Sequence, residues 1–184
     1  MKRQTLFFFF IPHPSSLIPS SSRRSVIMWA IVATLVLLFV SLIVVAPLAL
    51  AHGRGSNALV IYKSFSRFCH QIPERSFYID GHPFAVCARC TGIYFGFAAG
   101  VLLYPLVRSL KRSDAPARLW LLVALVPMAL DFALDFFGVW KNTHLSRSAT
   151  GALLGAVTAF YVVPGLVDLS RMSFRRSTVD EESI

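Results

Sequence analysis

The stretch Cys87–Val107, CARCTGIYFGFAAGVLLYPLV, decides the fold. It opens with two cysteines on either side of an arginine and then runs from Thr91 to Val107 without a charge. About 20 helical residues, rising about 1.5 Å each, cross the hydrocarbon core of a bilayer. The stretch therefore predicts a membrane helix, spanning about 89–107, with a cysteine pair at its entrance.

Three further apolar blocks flank it. They predict spans at about 26–50, 119–140 and 149–169, within one membrane domain covering 26–170. The whole chain fits this reading. Of 184 residues, 55% are hydrophobic and 15% charged, against about 25% charged in an ordinary soluble domain. The expected fold class is all-α: a polytopic membrane bundle of about four transmembrane helices with a Cys/His-containing extracytoplasmic loop at 52–86.

The net charge is +9, but the basic residues flank the apolar blocks and form no single stripe. That pattern signals membrane topology and excludes a nucleic-acid groove. Arg23 and Arg24, then Arg108, Lys111, Arg112 and Arg118, then Arg171, Arg175 and Arg176 fall on one side of four spans. Both termini are thus expected in the cytoplasm of a cell of the bacterial inner-membrane type. Residues 1–25, with Phe7–Phe10 and a Pro/Ser-rich run, read as a disordered tail or as a mis-called start before Met28. Residues 171–184 read as a cytoplasmic tail. The first span can also be read as a signal peptide ending at Ala49-Leu50-Ala51; its length favours a retained anchor. Either way, residue 52 onward lies outside.

The three cysteines, Cys69, Cys87 and Cys90, fall in one short segment. The Cys87-Ala88-Arg89-Cys90 spacing brings two thiols close enough for one metal ion or a redox disulfide. Seventeen residues separate Cys69 from Cys87, with Pro73, Gly81 and Pro83 between, so the loop can fold back. Three readings stay open: a zinc or iron site, a redox-active dithiol, and a structural disulfide with one spare thiol. The metal reading needs a fourth ligand, for which His70 and His82 compete. Adjacent Cys69 and His70 do not easily share one ion, which favours His82 or His144.

Asp131 and Asp135 lie four residues apart, on one face of the third span. A carboxylate inside a membrane helix is a functional candidate by default. Asp131, Asp135, His144 and Arg147 are therefore the catalytic candidates. The competing structural reading is an ion pair, Asp135 or Asp131 with Arg147 or Arg89, that locks the helix packing. A repeat connects the second and fourth spans. Arg89 with Thr91-Gly92 and Gly96 matches Arg147 with Thr150-Gly151 and Gly155. It suggests two duplicated helical hairpins and predicts close packing through small residues.

The signature Cys69-His70-Gln71, Pro73, Arg75-Ser76-Phe77, Gly81, then Val86-Cys87-Ala88-Arg89-Cys90-Thr91-Gly92-Ile93-Tyr94 and Gly96 resembles the family of membrane proteins called domain of unknown function 2085. The likeness continues through Pro127, Asp131, Arg147 and Thr150-Gly151, over about 58–165. It implies a bacterial or archaeal membrane protein and no particular activity. A looser likeness joins the chain to quinone-linked thiol oxidases of the DsbB type, which also have four spans and a CxxC at the outer start of the second. This chain lacks their second cysteine pair. The functional expectation is a metal-binding membrane protein. The alternatives are a membrane thiol–disulfide oxidoreductase using the CxxC pair, and a non-enzymatic scaffold or transporter subunit. Expected partners are the lipid bilayer and a homo-oligomer or another membrane protein, with no nucleic acid.

Overall fold

The computed structural model describes residues 22–110 and 114–182, and the side chains of 23–110 and 114–169. The expected tail at 1–25 lies outside the described residues up to position 21. Ser22–Ser25 already belong to a helix.

Helix α1 covers Ser22–Ala51 and α2 covers Gly55–Phe65. A 3-10 turn at Pro73–Arg75 and a minimal hairpin, β1 (Tyr78–Ile79) and β2 (His82–Pro83), follow. Then come α3 (Ala88–Val107), α4 (Leu119–Phe136) and α5 (His144–Glu182). Among the described residues, four segments are long and apolar enough to cross a membrane: Arg23–Ala51, Ala88–Val107, Leu119–Phe136 and His144–Leu169. The protein is an all-α membrane bundle. In lipid every backbone polar group needs an internal partner, and only helices supply one within a single segment.

Helix α3 starts where Cys87 takes extended backbone (φ −66°, ψ 160°). Helix α4 stops at Phe136, before Trp140. Gly138 adopts φ +70°, and the N–H groups of Val139 and Trp140 both turn back to Leu134 O at 3.0 and 3.1 Å. Helix α2 arises within the expected polar loop. Its Ala58 and Phe65 are buried, while Leu59 and Val60 face outward.

The centre of the bundle is the contact between α3 and α5, which enter from the same end and run parallel. A Cβ added at Gly92 would lie 2.0 Å from Ser148 O, at Gly96 2.2 Å from Ala152 O, and at Gly100 2.6 Å from Ala156 O. From the other side, a Cβ at Gly151 would meet Arg89 O at 2.5 Å and one at Gly155 would meet Ile93 O at 2.1 Å. The two backbones touch, and only glycine fits there. The contacts are also reciprocal. The shift that carries Gly92 to Gly151 and Gly96 to Gly155 carries Arg89 to Ser148 and Ile93 to Ala152. Gly92–Ser148 therefore mirrors Gly151–Arg89, and Gly96–Ala152 mirrors Gly155–Ile93. The sequence repeat is a local two-fold relation between α3 and α5.

Helix α1 packs across this pair through two clusters. One joins Ala33, Val101, Tyr104, Ala159, Val163 and Val167, where the Trp29 indole donates to Val101 O at 2.8 Å. The other, at the loop end, joins Ile43, Ala46, Phe65, Cys69, Ala85 and Val86. Helix α4 lies outermost, with Ala124 as its buried residue. Apart from the half-buried Leu121, its leucines, valines and phenylalanines are exposed, as a lipid-facing helix requires.

Matched glycine changes test this packing. Gly96→Ala puts a methyl into the Ala152 backbone and should destabilise the detergent-solubilised protein by about 3 kcal/mol, the upper range for overpacking. Gly165→Ala meets nothing within 4 Å and should stabilise by about 0.5–1 kcal/mol through helix propensity alone. Thermal unfolding of the two variants beside the parent checks both signs.

Candidate metal centre

Cys69 sits just past the last turn of α2, its N–H bonded to Phe65 O at 3.0 Å. Its side chain is 6% exposed. The chain then reverses at Gln71, which takes the left-handed conformation at φ +52°. That turn aims the Gln71 N–H at Cys69 Sγ, 3.5 Å away. The Gln71 side-chain amide donates to Tyr62 O and Ala85 O, both at 2.8 Å. One residue thus ties together the last turn of α2, the cysteine that follows it and the segment entering α3. Sequence reasoning placed Gln71 in a signature but gave it no role. Its partners lie nine and fourteen residues away, and no spacing rule points to them.

The hairpin completes the return. Ile79 pairs with His82, around a turn in which Asp80 and Gly81 both take positive φ. Phe84 N–H bonds to Phe77 O at 2.7 Å, and the Tyr62 hydroxyl donates to Pro83 O. Burial holds the Tyr62 hydroxyl above its usual pKa, which keeps it a neutral donor. Ala85 and Val86 are fully buried and deliver Cys87 to the start of α3.

There the Cys87 N–H donates to Cys69 Sγ at 3.2 Å. Cys90 follows within the first turn of α3. The sulfurs of Cys69, Cys87 and Cys90 all lie within 4.8 Å of one another, and all three are free thiols. Hydrogen bonds from the Cys87 and Cys90 side chains, with further ones from the backbone of Cys87 and Gln71, hold the Cys69 thiol well below the ordinary thiol range. Cys87 and Cys90 are partly exposed. Cys69 is thus the buried member of the group, and Cys87 and Cys90 pack half-buried beside it.

The histidines do not join this group. His70 is exposed, and His82 is half-buried in the hairpin. His144 Nε2 lies 3.0 Å from Glu74 O, with its ring 5.7 Å from that of Phe77.

The other candidates assemble beside it as ion pairs. Arg89, inside the CxxC, reaches Asp131 at 2.7 Å, and Arg147 reaches Asp135 at 2.9 Å. The Asn142 amide donates to Asp131 Oδ2 at 2.8 Å and to Asp131 O at 2.6 Å. Its N–H points to Asp135 Oδ1 at 3.3 Å. The Arg89 guanidinium also lies 5.5 Å from the Phe132 ring centroid. Each carboxylate of α4 is thus matched to an arginine from the first turn of α3 or α5.

A family model described as "Predicted membrane protein (DUF2085)" matches residues 69–161. The chain belongs to that family. The match starts at Cys69 and takes in all three cysteines, both ion pairs and the glycine contacts of α3 and α5. The chain is also 35% identical over 144 residues to an uncharacterised protein of Methanocaldococcus jannaschii, covering 76% of this chain and 92% of that protein. It is 37% identical over 91 residues to an uncharacterised protein of Methanothermobacter thermautotrophicus, covering 50% and 80% respectively. No solved structure matches.

Two predictions concern this region of the DUF2085 protein. Gln71→Ala removes two part-buried hydrogen bonds, to Tyr62 O and Ala85 O, and should cost about 2 kcal/mol, read as a lower denaturation midpoint. Asp135→Ala leaves Arg147 unpaired at 11% side-chain exposure and should cost about 3 kcal/mol, whereas adding Arg147→Met should recover most of it. A double-mutant cycle by thermal unfolding measures the coupling.

Proposed function

We propose that this DUF2085 protein is an integral membrane protein that holds one thiophilic metal ion, zinc or iron, on Cys69, Cys87 and Cys90. The observation that carries the reading is the convergence of three free thiols within 4.8 Å. Zinc–thiolate bonds are about 2.3 Å long, which sets the sulfurs of a tetrahedral site about 3.8 Å apart. The cluster reaches that spacing by small side-chain movements. The donor set is soft and suits zinc or iron over magnesium or calcium. Two backbone N–H groups already point at Cys69 Sγ, and such bonds stabilise a thiolate before any ion arrives.

The same reading places the site on the extracytoplasmic side. Arg108 and Arg118 flank the opposite end of the bundle, and basic flanks mark the cytoplasmic face. The ion pairs of Asp131 and Asp135 serve as framework in this reading. They fix α4 against α3 and α5 and leave neither carboxylate free as a base.

The free, partly exposed Cys87 and Cys90 favour a second reading, a dithiol that exchanges with a partner's disulfide. One experiment separates the two. Protein purified without a histidine tag in mild detergent should carry about one zinc or iron per chain, and Cys→Ser at 69, 87 or 90 should abolish it. Metal content below a tenth of an equivalent, with a disulfide among the three cysteines, would overturn the metal reading and support the exchange reading.

A further inference from the structure

We infer that the metal centre is open: Cys69, Cys87 and Cys90 are its full set of protein ligands, and the fourth position takes a small neutral donor from outside the chain. The inference rests on the metal reading and deepens it. A closed structural zinc site has four protein ligands, whereas a site that binds or activates a small molecule has three. The question is what else the loop end offers.

The described residues with metal-ligating side chains are committed elsewhere or lie outside the group. His144 Nε2 is at Glu74 O and His52 Nδ1 is 2.7 Å from Leu48 O. His70 points outward from the turn after Cys69, where chain direction is set by the positive φ of Gln71. His82 is held in β2 opposite Ile79. Asp131 and Asp135 are each bound to an arginine. Glu74 and Asp80 are exposed on the 3-10 turn and the hairpin turn. The group that remains is three sulfurs, one buried and two partly exposed.

Charge selects the class of donor. Three thiolates around a divalent ion sum to one negative charge. Arg89, the arginine within the CxxC, is already paired with Asp131. A further anion would raise the uncompensated charge, so a neutral donor is favoured: water at rest, replaceable by an imidazole or amine nitrogen. Cys87 and Cys90, only half-buried, are the side from which that donor would enter, since Cys69 is buried.

Cobalt(II) is the probe. The full-length protein in detergent, stripped of metal and loaded with one cobalt(II), should show X-ray absorption from three sulfur neighbours and one oxygen or nitrogen, without the outer-shell pattern of imidazole. Adding free imidazole should shift the d–d bands and introduce that pattern, with cobalt retained through gel filtration. His70→Ala and His82→Ala should leave the resting spectrum unchanged. An imidazole pattern before any imidazole is added, or a fourth sulfur, would overturn the open site while leaving the metal reading in place. Failure to retain cobalt at all would overturn both. The absorption measurement on the parent protein decides the question even where a histidine variant does not fold.

Discussion

Everything at the loop end depends on the backbone contact between α3 and α5. Lipid tails are as apolar as leucine, so burying apolar surface does not drive two membrane helices together. Close van der Waals contact does, and it needs surfaces without side chains. Gly92, Gly96 and Gly100 on one helix and Gly151 and Gly155 on the other supply them. This contact fixes the relative height of the two helix entrances. Cys87 caps α3, whose first turn carries Arg89 and Cys90, and the first turn of α5 carries Arg147. The glycines therefore set where the sulfurs and guanidiniums stand.

Two layers of polar contacts then transmit that placement. Arg89 lies between the two cysteines of the CxxC and is anchored to Asp131, so the orientation of the first turn of α3 is tied to α4. On the other side of the cluster, Gln71 holds Tyr62 and Ala85 together and presents its own N–H to Cys69. Such outer partners orient the side chains of a site. A single loop residue in left-handed conformation thereby completes the sulfur group.

Much of this was legible in the residues themselves. Long uncharged blocks marked the membrane helices, because a bilayer admits few other sequences. The repeat of an arginine followed by Thr-Gly-x3-Gly announced the α3–α5 contact, because only small residues permit backbone approach. The CxxC and a flexible return loop made the meeting of three cysteines foreseeable. Other features were hidden. Helix α2 lies in a stretch with arginine, lysine and several serines around it, and its buried face is only Ala58 and Phe65. Gln71 acts through its backbone conformation and through carbonyls far along the chain, neither of which composition reveals. Spacing from Cys69 favoured His82 or His144 over His70, but the partners of the His144 ring are the Glu74 carbonyl and Phe77, which no pattern singles out.

The parallel pairing of α3 with α5 also has a consequence for biosynthesis. A ribosome delivers the chain from its N-terminus, so α3 enters the bilayer two helices before its principal partner exists. Its glycine face must wait against lipid while α4 inserts. The partners of α4 arrive at different times: Arg89 is already in place to meet Asp131, whereas Arg147 emerges twelve residues after Asp135. The nascent bundle thus holds one matched and one unmatched carboxylate until α5 arrives. Helix α5 both docks the glycines and pairs the second carboxylate, so these two contacts form in a single step.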